Sequence, residues 1–458
     1  MKKILSVSLL LLFAGLVQAQ QRYELTVKEA VDAAFKNVIE LKNAQIDYQI
    51  QEAKNREILG QAYPQISGNV AANHYLKLPG VLFPQSEEGI YTALKRENLI
   101  SQSTSAPPPV LVPFSFQQPW NLSAGATLMQ LLFQPDVFVG LQARQTALDY
   151  SSALIEQTKE KIKDSAYKRY YAILIAEKQL FFIDDGLKRL AKLYRDDSIM
   201  YVNGFAERLE LDKVQVQINN LQSTRNNIAV GVELAYAALK FAIGVSQKDV
   251  VVLKDDLSTA NIKDNILNAD FKYEDRVEIR TLSHVKKLQG LDLKRNQLGY
   301  IPTVSAMANY SANGQGQNFY TSGSTTWINS AYIGLNINVP IFDGLQRKYK
   351  VKQSQLKLQQ VDNSIDNVKQ AIDFEQVVTK QMLLSALSNL DIQEKNMKLA
   401  EKVYNTTKIK FEEGLTTFST EVLLAENDLQ ASQSNYFTAL YNAVITKISY
   451  QRSLGKLE

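Results

Sequence analysis

Gly299-Tyr300-Ile301-Pro302-Thr303-Val304-Ser305 marks an abrupt change in what the chain can be. The pattern is helical from about Phe271 up to this point, and Pro302 then pushes the residue before it out of the helical region. Beyond it the apolar period becomes two: Val304, Ala306, Ala308 and Tyr310 oppose Thr303, Ser305, Asn309 and Ser311. The same transition occurs at Ala62-Tyr63-Pro64-Gln65-Ile66-Ser67, where Ile66, Gly68, Val70, Ala72, His74 and Leu76 oppose Gln65, Ser67, Asn69, Asn73 and Lys77. A second alternating segment follows each transition. Trp120, Leu122, Ala124, Ala126 and Leu128 share a face in the first copy, and Ala331, Ile333, Leu335, Ile337 and Val339 do so in the second.

The chain therefore repeats itself. Phe133 and Phe342 are 209 positions apart, Tyr194 and Tyr404 are 210 apart, and so are Gly204 and Gly414. A repeat this long indicates structural duplication. The expected organisation is a first repeat over 20–244, with strands at about 65–77 and 119–133, a polar linker over 245–270, and a second repeat over 271–458. The strands of the second repeat are expected at about 303–313 and 328–342. The opening helix starts at a capping box, Thr26-Val27-Lys28-Glu29, and is expected to run to about Tyr63.

Very long helices follow each strand pair. As single helices, Asp136 to Asn203 and Gly344 to Glu413 would each extend about 100 Å. Leu180, Ile183, Leu187, Leu190 and Tyr194 step by three and four, and Val422, Leu429, Tyr436, Ala443 and Tyr450 recur every seven residues, which is coiled-coil spacing. Gly204 and Gly414 are the expected terminators, after which shorter helices return to Gly244 and Gly455.

Lys2 and Lys3 precede an apolar run, Ile4 to Val17, closed by Val17-Gln18-Ala19, so residues 1–19 read as a secretory leader. Without it, 49 Lys and Arg face 47 Asp and Glu, a balance that gives no footprint for nucleic acid. The absence of cysteine excludes disulfides and thiolate metal sites. There is no phosphate-binding glycine loop, and His74 and His284 lack metal-ligand spacing, so neither an enzyme nor a cofactor is expected.

All four strands carry uncharged polar residues on one face, and aromatics flank them at Tyr75, Trp120, Phe133, Trp327 and Phe342. That pattern points to the wall of a transmembrane barrel. Four strands leave two open edges, which lipid does not tolerate, so closure needs further copies. Three copies give twelve strands and a lumen wide enough for solute. A secreted coiled-coil stalk or adhesin, with the strands as a soluble cap, is the alternative.

Leu25-Thr26-Val27-Lys28-Glu29-Ala30-Val31, Ile301-Pro302-Thr303-Val304, Ile341-Phe342-Asp343-Gly344 and Glu421-Val422-Leu423-Leu424-Ala425-Glu426 stand in an order and spacing that resemble the TolC family of outer-membrane factors. The resemblance implies a mainly α fold with a transmembrane β-barrel, closed only as a homotrimer in outer-membrane lipid, with its helices in the periplasm. It implies an exit duct for efflux or type I secretion, opened by an inner-membrane transporter and a periplasmic adaptor (membrane fusion protein). Adaptor docking is expected at the tips, Asn203, Gly204, Phe205, Ala206 and Glu413, Gly414, Leu415, Thr416. The candidate gate comprises Asp212, Lys213, Glu421, Leu423 and Leu424. Where the family often carries an acidic residue one turn after the one matched by Glu421, this chain has Leu424, so an aspartate ring is not expected.

Overall fold

The computed structural model describes residues 22–256, 270–318, 325–415 and 419–457, so the leader expected at 1–19 lies outside the described residues. The chain divides into two units. One contains the residues up to Glu52 together with Gln145–Gly290 and Gln355 onward; the other contains Ala53–Arg144 and Leu291–Ser354. No described helix is long and apolar enough to cross a membrane.

The elements run in the order β1 (Arg22–Leu25), α1 (Val27–Asn37), α2 (Ile39–Gly60), β2 (Gln65–His74), β3 (Val81–Gln85), α3 (Glu88–Arg96), β4 (Val110–Phe114) and β5 (Trp120–Phe133). Then come α4 (Pro135–Val202), α5 (Arg208–Ile243), β6 (Val250–Leu253), α6 (Val277–Leu298), β7 (Thr303–Gly316), β8 (Thr325–Asn338), α7 (Gln346–Glu412) and α8 (Ser419–Ser453).

In the first unit, the capping box forms as its residues dictate. The Thr26 amide donates to Glu29 Oε2 at 2.7 Å, and the Glu29 amide donates back to Thr26 Oγ1 at 3.3 Å. The helix it starts does not continue to Tyr63, because Val38 turns extended and separates α1 from α2. Gly244, at the end of α5, comes so close there that a Cβ on it would stand 2.8 Å from the Asn37 carbonyl carbon. Within the expected linker, Val250–Leu253 forms a strand: β6 pairs in parallel with β1, from Arg22 opposite Val250 to Leu25 opposite Leu253. Buried Tyr170 secures this small sheet by donating to the Leu25 carbonyl at 2.9 Å and accepting from the Asp255 amide at 3.3 Å. The surrounding core joins Ala30, Ala34, Ile173, Leu239 and Ile243.

In the second unit, the four long strands form one antiparallel sheet in the order β2-β5-β7-β8. Its last strand stops at Asn338, short of the expected 342, as Pro340 follows and cannot donate to a ladder. The two sequence landmarks of the second repeat meet at one side chain. Arg347 bonds Asp343 Oδ2 at 2.7 Å, reaches the Pro340 carbonyl at 3.1 Å and lies over the Tyr300 ring at 5.1 Å. The long segment after β2 carries the hairpin β3-β4 and the helix α3, with every residue of both strands exposed.

Candidate functional site at the helix tips

Both long helices end in the same way. Gly204 has φ of 77° and Gly414 of 70°, values that a residue without Cβ adopts without strain. Gly204 donates to the Tyr201 carbonyl at 3.0 Å and Phe205 to that of Met200 at 2.8 Å. Gly414 donates to Phe411 at 3.1 Å and Leu415 to Lys410 at 2.9 Å. These are paired Schellman terminations, which satisfy the last carbonyls and turn the chain within a few residues. Phe205 and Leu415, the residues just after the glycines, are 76% and 73% exposed, and nothing lies within 4 Å of where a Cβ would stand on either glycine. Asn203 caps its own helix by donating to the Ile199 carbonyl at 2.7 Å. Glu413 donates its amide to Ile409 at 2.9 Å. Ala206 is half-buried, and Thr416 lies outside the described residues.

Behind the turns, an apolar cluster draws all four helices together through Leu190, Val214, Tyr404, Val422, Leu423 and Leu429. Leu423 is thus part of the packing, while the adjacent Leu424 is 58% exposed. The two candidate seal residues therefore face different surroundings.

Within one chain, Lys213 meets Glu210 rather than the acidic candidate Glu421. Lys213 Nζ sits 3.0 Å from Glu210 Oε1 and 3.4 Å from Thr420 Oγ1, and no Lys213–Glu421 ion pair forms among the described residues of one chain. Glu210 is the centre of this site. It accepts from Thr420, from Ser419 at 3.2 Å and from Lys213, so one carboxylate on α5 ties down the first turn of α8. Burial works against the Glu210 carboxylate, but the Thr420 hydroxyl and Lys213 outweigh it and hold its pKa below the ordinary value. Asp212 turns away to Arg208 at 3.1 Å, where both side chains are exposed.

Asp197, on α4, is a buried carboxyl beside this cluster. Burial pushes its pKa up, and the charges of Glu210 and Asp196 add to the shift. Lys192 completes the tip by bridging to Glu412 on α7 at 2.6 Å. Glu210, Ser419 and Asp197 were not among the sequence candidates. A first-turn acid and a Ser-Thr pair opening a helix are common cap residues, and only the fold places them together across 209 positions.

Residues 292–456 match the family model described as outer membrane efflux protein. The outer membrane protein TolC of Vibrio cholerae is 19% identical over 343 residues, covering 73% of this chain and 77% of TolC. Among solved structures, CusC superposes with a TM-score of 0.72 at 15% identity, covering 96% of this chain and 95% of that one. VceC from Vibrio cholerae gives 0.69 at 13% identity, covering 94% and 96%. The CmeC outer membrane channel of Campylobacter jejuni gives 0.68 at 14%, covering 94% and 86%.

Proposed function

We propose that this chain, whose residues 292–456 match the outer membrane efflux protein family model, is the outer-membrane exit duct of an export system. The observation that carries this reading is the four-stranded sheet. Ile66, Val70, Ile333 and Leu335 stand exposed on one of its faces, and the other carries mainly hydroxyl and amide side chains. Strands β2 and β8 are its free edges. A sheet of this kind is stable in a bilayer only when copies close it, with the apolar face toward lipid and the polar face toward a lumen. Three copies give a twelve-stranded barrel in the outer membrane, with the helices reaching into the periplasm.

The helix tips fit the partner-facing end. Their exposed Phe205 and Leu415 lie at the turns of helical pairs, whose grooves suit an incoming helical hairpin. We assign docking there to a periplasmic adaptor that links the duct to an inner-membrane transporter. The cluster around Glu210 is the contact such a partner would have to loosen. Cell fractionation tests the reading: the protein should sediment with outer membranes and need detergent for release. Recovery as a soluble protein would overturn it in favour of a secreted stalk.

A further inference from the structure

None of the residues in β2, β5, β7 and β8 is Asp, Glu, Lys or Arg. The face opposite Ile66 and Ile333 is therefore uncharged, and amides and hydroxyls make up most of it. Asn309 donates to Thr127 at 2.9 Å, and Ser311 and Ser330 bond at 2.8 Å. Side chains converge on this face at Gly125, where a Cβ would stand 3.1 Å from that of Ser311 and 3.3 Å from Asn69 Oδ1.

One band of the face differs in chemistry. Met129 stands directly opposite Met307, which stands opposite Gly334. Gly334 leaves a gap that the Met307 side chain covers, its Cγ 3.6 Å from where a Cβ would be. In the next row Tyr332 pairs with Asn309, which makes it the diagonal neighbour of Met307 on the same face. Met129 is 43% exposed and Tyr332 53% exposed, so two thioethers and a phenol ring line an uncharged wall.

We propose that Met129, Met307 and Tyr332 form a contact station for uncharged aromatic cargo on the inner face of the exit barrel, a proposal that rests on the duct reading above. Thioethers are polarisable and adapt to varied ring shapes, which suits a surface that must accept many molecules. The phenol offers a face for stacking and a hydroxyl for hydrogen bonding. With no charged ring in these strands, the wall neither repels nor captures by charge, and weak contact permits release as well as entry.

The test is single-channel recording of the reconstituted protein in planar bilayers, with caffeine as the uncharged planar probe on the barrel side and sucrose as a non-aromatic control. Caffeine should cause brief current reductions that sucrose does not. Tyr332→Ala should shorten them about fivefold, the loss expected for one ring contact. Tyr332→Phe should largely keep them, while Met307→Leu, which preserves volume but removes sulfur, should shorten them less than Tyr332→Ala. If Tyr332→Ala fails to insert, the Met129→Leu, Met307→Leu double variant provides the comparison. A conducting wild type that shows no caffeine events, or events unchanged in these variants, overturns the station. A protein that conducts nothing even when Lys213→Glu loosens the tip overturns the duct reading itself, and the station with it.

Discussion

Arg189 donates to both carboxylate oxygens of Glu426, from Nε at 2.7 Å and Nη2 at 2.8 Å, joining α4 to α8 across 237 positions of sequence. Glu426 is 1% exposed and also accepts from Gln430 at 3.0 Å. Arg189 reaches Asp185 at 2.6 Å and lies over the Tyr404 ring at 5.4 Å. This pair sits directly behind the apolar cluster of the tips. Removing one partner leaves the other buried and uncompensated. Arg189→Ala should therefore lower stability by about 3–5 kcal/mol, and the joint change Arg189→Met with Glu426→Leu should recover most of it. Denaturation midpoints of the detergent-extracted protein measure both.

Gly186, one turn before Arg189, makes this close approach possible. A Cβ there would stand 3.2 Å from Glu426 Oε1 and 3.2 Å from Leu221 Cδ2. Alanine would gain about 1 kcal/mol of helix propensity. Glu426 is held by Arg189 and cannot yield, so overpacking of about 1–3 kcal/mol should outweigh that gain. Thermal melts of Gly186→Ala should show a net loss. Gly231→Ala, where nothing lies within 4 Å, should show none, and a loss there would mean that another copy packs closely on α5.

Asp197 gives the tip a pH dependence of defined sign. Its folded pKa is raised by burial, so the folded state holds a proton that the unfolded state releases, and stability falls as pH rises through that window. Asp197→Asn should therefore raise the melting temperature more at pH 7 than at pH 4. An equal gain at both pH values would remove Asp197 from the tip's response.

Lys213→Glu places a like charge against Glu210 and should make the resting channel leakier to large antibiotics. The Lys213 side chain is 40% exposed, so the lost pair is worth about 1 kcal/mol at most, a latch a partner could open. The within-chain geometry predicts that Glu210→Lys restores closure in the Lys213→Glu background. Rescue by Glu421→Lys instead would assign the contact to a neighbouring copy.

Gly204→Glu and Gly414→Glu should reduce crosslinking to the proposed adaptor while leaving assembly intact. Each would force a side chain into a left-handed backbone at an otherwise open turn. Unchanged crosslinking and export would move the docking surface elsewhere.

Local chemistry made much of this fold readable before any coordinates. Pro64 and Pro302 end helices, alternation assigns the strand faces, and Gly204 and Gly414 stop the rods, all through effects within a few residues. What sequence reasoning missed is nonlocal. Four residues of β1 and four of β6 are too short to announce a parallel pair separated by the whole first repeat. The β3-β4 hairpin carries Pro84 and Pro113 in its strands, and proline argues against a strand unless an edge accepts it. At the tips, turn positions were visible, but the within-chain pairing of Glu210 with Lys213, Ser419 and Thr420 depends on how α5 and α8 are juxtaposed.

The mass of the detergent-extracted protein, determined by light scattering with the detergent contribution subtracted, tests most directly whether the sheet closes with other copies. Three chains should be found in each particle. A monodisperse single chain that still conducts ions across a bilayer would contradict closure by copies, and with it the lumen that the duct requires.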